Sequence, residues 1–164
     1  MKSLLCLTLI LVFSMTVHAQ DKLRDILPLV NGKVTYTSVV QVDSLPAEEI
    51  YNRAKQWLST NFEYIKLDNK DKLISKGYIQ YRSVRISLML TMKIKQGRYK
   101  YEFTDFKWVN DENHYMEEFD IEKPYNSITK KYDFKYIDTH VDELIKSLKS
   151  AISTSTKPVQ EEQW

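Results

Sequence analysis

The stretch Leu27–Phe62, LPLVNGKVTYTSVVQVDSLPAEEIYNRAKQWLSTNF, decides the fold. Pro28 and Asn31-Gly32 are turn signals. From Lys33 to Val42 the residues alternate, with Val34, Tyr36, Val40 and Val42 on one face and Thr35, Thr37 and Gln41 on the other, the pattern of a half-buried strand. Asp43 and Ser44 break it, and Pro46 fits the first turn of a helix, where a missing N–H costs nothing. Glu48 and Glu49 then sit where the helix dipole favours negative charge. Ile50, Ala54, Trp57 and Leu58 make one apolar stripe at helical spacing, extended by Phe62, so Trp57 reads as core.

Downstream, Tyr64–Leu67 reads as a short strand, Asp68–Lys72 as a charged turn and Leu73–Tyr81 as a strand whose Gly77 marks a bulge or a close backbone approach. Val84–Ile94 has the strongest alternation. Val84, Ile86, Leu88, Leu90, Met92 and Ile94 share one face, as expected of a central strand over the core. A turn at Gln96-Gly97 pairs Ile94 with Tyr99, Met92 with Tyr101 and Leu90 with Phe103. Phe106 and Trp108 have the opposite parity. One extra residue near Thr104-Asp105 restores the pairing, so a β-bulge is predicted there. Tyr115–Ile121 reads as an edge strand and Pro124–Thr129 as a loop. A second helix is predicted from Phe134, with Ile137, Val141, Leu144, Ile145, Leu148 and Ile152 as its stripe. The order β-α-β-β-β-(β)-α implies an α+β fold: an antiparallel sheet of about four to five strands with both helices on one face. The other face is left more polar and open.

The N-terminus carries a targeting pattern. Lys2 precedes an uncharged apolar run, Leu4–Val17, and Val17-His18-Ala19 fits a cleavage site. A membrane anchor would need roughly 20 apolar residues and no cleavage site. Cys6, the one cysteine, lies too early in the run for lipid attachment. The expectation is a signal peptide at 1–19, a single domain at 20–152 and a polar, disordered tail at 153–164. Cleavage after Ala19 leaves no thiol, which excludes disulfides and thiolate sites from the mature chain. It also leaves 23 basic against 22 acidic residues, a balance that argues against nucleic acid as a partner. All eleven tyrosines remain, in keeping with a sheet-rich fold.

The residues quoted above resemble a known family of exported bacterial proteins, a domain of unknown function with a TATA-binding-protein-like (TBP-like) fold. The features that carry the resemblance are Gly32, Val34 and Tyr36, then Ile50-Tyr51, Ala54 and Trp57-Leu58, followed by KLISKGYI at Lys72–Ile79 and YKYEFTDF at Tyr99–Phe106. The resemblance spans Leu27–Ile152. It implies a curved antiparallel sheet with two helices packed on it, and it brings no activity, cofactor or catalytic residue. A fold name carries no DNA-binding function with it.

Candidate chemistry is sparse. His114 and His140 are far apart and lack a patterned set of carboxylates, so no metal is expected. The acidic residues Asp111, Glu112, Glu117, Glu118, Asp120 and Glu122 read as a site for calcium or a basic partner, or as a solvated loop and edge strand; the glycine of a calcium loop is missing. Gly32, Gly77 and Gly97 are the only glycines, too few for a phosphate loop, and no nucleophile elbow or zinc-protease helix occurs. No catalytic residue and no cofactor is assigned. The remaining set is basic: Lys93 opposite Lys100, Lys95 opposite Arg98, and Arg85 farther along the same open face. It reads as a site for an acidic protein, a lipid headgroup or an anionic polymer, or as a solvated strand end. The sequence therefore points to a non-catalytic envelope or secreted module that binds a partner through the open face or an edge strand. The alternatives are a hydrolase with an unrecognised carboxylate pair and a carrier of a small apolar ligand.

Overall fold

The computed structural model describes residues 26–81, 84–110, 117–122 and 131–154. The strand expected at Lys33–Val42 is divided. Leu29–Val30 (β1) and Lys33–Val34 (β2) form a small hairpin, and Tyr36–Gln41 (β3) joins the main sheet. Asn31 and Gly32 close the hairpin with φ of 52° and 76°, as a tight turn matched to strand twist demands. The division falls at Thr35, whose N–H bonds back to the Pro28 carbonyl at 2.9 Å.

Helix α1 (Ala47–Asn61) follows, with Pro46 one position earlier than expected, as the extended cap residue. Its stripe of Ile50, Ala54, Trp57 and Leu58 is buried. Tyr64–Asn69 (β4), Lys72–Tyr81 (β5), Val84–Lys95 (β6) and Arg98–Asn110 (β7) form a meander, and Glu117–Asp120 (β8) returns along the end of β7. The sheet is six-stranded and antiparallel, ordered β3-β7-β6-β5-β4, with β8 beside β7. It is larger than the four to five strands expected, because both the short strand β4 and the edge strand β8 pair into it. Helix α2 (Lys131–Ser153) begins before Phe134 and runs one residue beyond Ile152. The expected signal segment, Tyr115, the loop expected at Pro124–Thr129 and residues 155–164 lie outside the described residues.

The β6–β7 register is the one expected, with Ile94↔Tyr99, Met92↔Tyr101 and Leu90↔Phe103, and with Ile86↔Trp108 beyond the bulge. Asp105 holds the bulge in left-handed backbone at φ 55°. Both helices pack on the face that carries these side chains. Trp57 Nε1 donates to Ser147 Oγ at 2.9 Å, joining α1 to α2, and the Tyr36 hydroxyl donates to Asp138 Oδ1 at 2.8 Å, joining the sheet to α2. Ile50, Leu73, Leu90, Met92, Phe103, Val141 and Leu148 are fully buried in the shared core. Each large apolar side chain so buried contributes about 1.5–3 kcal/mol.

Gly77 stands under a ring. A Cβ there would lie 2.6 Å from Phe62 Cδ1, and β5 keeps its register with β6 through this point. The glycine therefore serves close approach rather than a bulge; the bulge on this side of the sheet is in β4, between Ile65 and Leu67. The empty space lets Phe62, at the end of α1, reach Trp57 and Phe103 with ring centroids at 5.7 and 6.5 Å. Gly77→Ala is expected to lower stability by about 1–3 kcal/mol in urea unfolding. Adding Phe62→Leu should cost less in that background than in the wild type, because the two positions share one space.

Among the described residues, Glu118, Asp120 and Glu122 are committed to lysines of the domain. Glu118 bonds Lys76 and Lys107, and Asp120 and Glu122 bond Lys33 at 3.3 Å each. Glu122 also accepts the Val34 N–H at 2.8 Å. Among the described residues no group of acidic or histidine side chains is set to hold a metal. The Lys76 hydrogen bond, followed by that of Lys107, holds the Glu118 carboxyl below its usual range, and the Lys76 ammonium is raised chiefly by the same bond. A lowered carboxyl contributes stability above its unfolded pKa and loses it as the pH falls through the folded value. The raised Lys76 contributes below its unfolded pKa of 10.5 and is lost as the pH rises through its folded value. Glu118→Gln is therefore expected to flatten the loss of stability below pH 4.5 and to lower it near neutrality, as read from urea midpoints across pH.

Candidate binding surface

The open face of the sheet is set by the pleat. Side chains of directly opposed residues in antiparallel strands point to the same side. The pairs Lys72↔Lys93 and Lys93↔Lys100 therefore make a row of lysines across β5, β6 and β7, continued on β3 by Val39. The adjacent row toward the turn holds Lys95, Arg98 and Gln41. Neighbouring strands are about 4.8 Å apart, so these cations form a compact patch. Glu102 pairs with Lys100 at 3.1 Å. Among the described residues no carboxylate pairs with Lys72, Lys93, Lys95 or Arg98.

The patch rests on a fixed base. The Gln96-Gly97 turn is bonded to the β3–α1 connection: Val42 N–H donates to the Gly97 carbonyl at 2.8 Å, and Gly97 N–H to the Leu45 carbonyl at 3.1 Å. Gln96 Oε1 accepts the Ala47 N–H at 3.2 Å, satisfying a donor at the start of α1 where Pro46 has no side-chain cap. Gly97 has φ of 70°, the left-handed backbone that favours glycine, and lies against the Asp43 backbone.

Four of the five basic residues singled out from the sequence meet here: Lys93, Lys95, Arg98 and Lys100. Arg85 does not. It lies eight positions from Lys93 on β6, roughly 27 Å away at strand rise, with its guanidinium 5.0 Å from the Tyr78 ring centroid. Sequence reasoning missed Lys72, which it assigned to the charged turn; extending β5 by one residue against Lys93 brings Lys72 into the row.

A concavity of about 510 Å³ lies on the opposite face between β3 and α2. Tyr36, Tyr101, Ile145, Asp142, Lys146 and Lys149 line it. Burial, the bond to Asp138 and the neighbouring Asp142 charge all push the Tyr36 phenol far up, so it stays protonated as a donor. Lys149 stands 5.7 Å from the Tyr101 ring centroid. On the outer part of α2, His140 stacks on Tyr136 with centroids 4.0 Å apart. The Tyr136 hydroxyl donates to the Gln80 carbonyl at 2.8 Å, so at 3.0 Å it accepts from His140 Nε2. This leaves Nδ1 as a buried acceptor without a partner and gives His140 a packing role. His114 lies outside the described residues.

The Asp68 and Glu118 carboxyls are both held below their usual range, each chiefly by a lysine hydrogen bond. A general acid needs the opposite shift.

Two solved structures share the fold. A TBP-like protein from Parabacteroides distasonis ATCC 8503 superposes with a TM-score of 0.65 at 15% identity, covering 79% of this chain and 99% of its own. A DUF4468 family protein from Bacteroides ovatus ATCC 8483 gives 0.58 at 17% identity, with 81% and 94% covered. No curated protein sequence matches. Residues 36–108, from β3 through the bulge of β7, match the family described as a domain of unknown function (DUF4468) with TBP-like fold. The fold shared with these structures and the match over residues 36–108 agree with the family resemblance read from the sequence.

Proposed function

We propose that the protein is an exported, non-catalytic binding module of the cell envelope or secreted fraction, and that its hairpin end receives an anionic surface of its partner. The observation that carries this reading is the Lys72–Lys93–Lys100 row backed by Lys95 and Arg98. Like charges placed directly opposite cost stability, and here they recur across three strands on a base that hydrogen bonds hold rigid. Such a patch attracts anions strongly only when they arrive in an array, as on a sulfated polymer, a phospholipid surface or an acidic protein. The apolar run Leu4–Val17, followed by a cleavage pattern at Ala19, supports export.

Retention on immobilised heparin tests the anion site. The wild type should elute at higher salt than Lys93→Glu/Lys95→Glu, whose affinity is expected to fall at least about tenfold, with a shallower dependence on salt. Equal elution of the two would remove the hairpin end as the site. Export is read by intact mass: protein recovered from the envelope or medium should begin at Gln20.

A further inference from the structure

We propose that the groove between β3 and α2 binds a small amphipathic carboxylate, of the class of a medium-chain fatty acid, with its carboxylate on Lys146 and Lys149 and its apolar tail laid toward Val30. This goes beyond the anion site at the hairpin end and assigns a different ligand to a different surface.

The groove has the size and lining of a small-molecule site. Its volume of about 510 Å³ falls within the roughly 300–1,000 Å³ typical of such clefts. Pro28 and Val30 line it from the β1 arm, Ile145 from α2, and the Tyr36 and Tyr101 rings from the sheet. Val30 is 47% exposed, a large apolar side chain left in water that a bound tail would cover. The hydroxyls along the wall are already engaged as donors. Tyr36 donates to Asp138 at 2.8 Å, Thr35 to the Lys33 carbonyl at 3.2 Å and Thr37 to the Tyr101 carbonyl at 3.0 Å.

Two cations remain unused. Lys146 and Lys149 both line the groove, and their spacing on α2 puts them on one face of the helix. Among the described residues no carboxylate pairs with either. Lys149 is half-buried, with Nζ 5.7 Å from the Tyr101 ring centroid, and Lys146 is exposed.

The charges give the groove a direction. Helix α2 runs alongside β3 from Asp138, bonded to Tyr36, to Lys149 over Tyr101, which pairs with Ser38. Asp142 lines the groove near Tyr36. The Thr35 N–H bond to the Pro28 carbonyl fixes the apolar lip at that same end. Lys149 lies farther along α2 than Asp142 by roughly 10 Å at helical rise. An anionic head is repelled from the Tyr36 end and drawn to the two lysines, so its tail is directed along Ile145 toward Pro28 and Val30. A cation of the same shape meets the lysines instead. A bare anion leaves Val30 in water, and an anionic polymer has no apolar body to bury there. The ligand that satisfies both ends carries one acidic head and one apolar tail.

Titration calorimetry of the full chain with decanoate is the test. One saturable site per chain is expected, and acetate and decyltrimethylammonium, each lacking one half of the match, should bind at least about tenfold more weakly. Lys146→Glu/Lys149→Glu should lower the decanoate affinity at least about tenfold. Lys146→Glu alone, at an exposed position, carries the same test should the double variant not fold. Val30→Asp should weaken decanoate binding with unchanged circular dichroism. Lys93→Glu/Lys95→Glu should bind decanoate as the wild type does, which separates this site from the one at the hairpin end. No saturable decanoate binding, equal binding of acetate or decyltrimethylammonium, or unaltered affinity in a folded Lys146→Glu variant would overturn the proposal. So would binding to phosphatidylglycerol vesicles without binding of free decanoate, which would give the lysines to a membrane surface.

Discussion

The register between β6 and β7 is the constraint on which the domain depends. Side chains on a strand alternate with a period of two, so a slip of one residue would turn Tyr99, Tyr101 and Phe103 out of the core. The Gln96-Gly97 turn sets the register at one end. The inserted residue at Asp105, in left-handed backbone, resets it at the other. Because of that insertion Phe106 and Trp108 face the same core as Phe103, and β7 can be long enough to serve β3 with its first half and β8 with its second.

Helix α1 ties this hairpin to the sheet edges. The chain leaves β3 at one edge and enters β4 at the other, so α1 must cross the buried face between them. Its start is held by Gln96 of the turn and its end by Phe62 above Gly77. The same bonds that orient the helix also immobilise the turn that carries Lys95 and Arg98. Folding and presentation of the basic patch are thus one piece of geometry.

Cations on the sheet fall into two groups. Lys33, Lys76 and Lys107 meet carboxylates of β8 and Glu122, so much of the acidic segment neutralises the domain from within. Lys72, Lys93, Lys95 and Arg98 gather at the opposite end, where Glu102 is committed to Lys100. A chain of near-neutral net charge in this way carries a local basic patch at one end of its sheet. Net charge alone gives no sign of it, since the sorting depends on which lysines lie across from which strands.

Much of the architecture was legible in the sequence by itself. Alternation from Val84 to Ile94, the parity change at Phe106 and the helical stripes of α1 and α2 each reflect a local periodicity that burial enforces, so strand identity, hairpin register, the bulge and the helix faces could be read directly. Of the candidate site, the cross-strand pairs Lys93–Lys100 and Lys95–Arg98 were legible for the same reason, because a two-residue turn fixes them. What spans separate elements was not. The joining of all six strands in one sheet, the addition of Lys72, the removal of Arg85 to the far end and the ring over Gly77 all follow from how strands and helices meet in space. Only the tertiary structure decided that β3 lies at an edge. A strand's own pattern reports which face it buries and is silent on whether its outward hydrogen bonds have a neighbour.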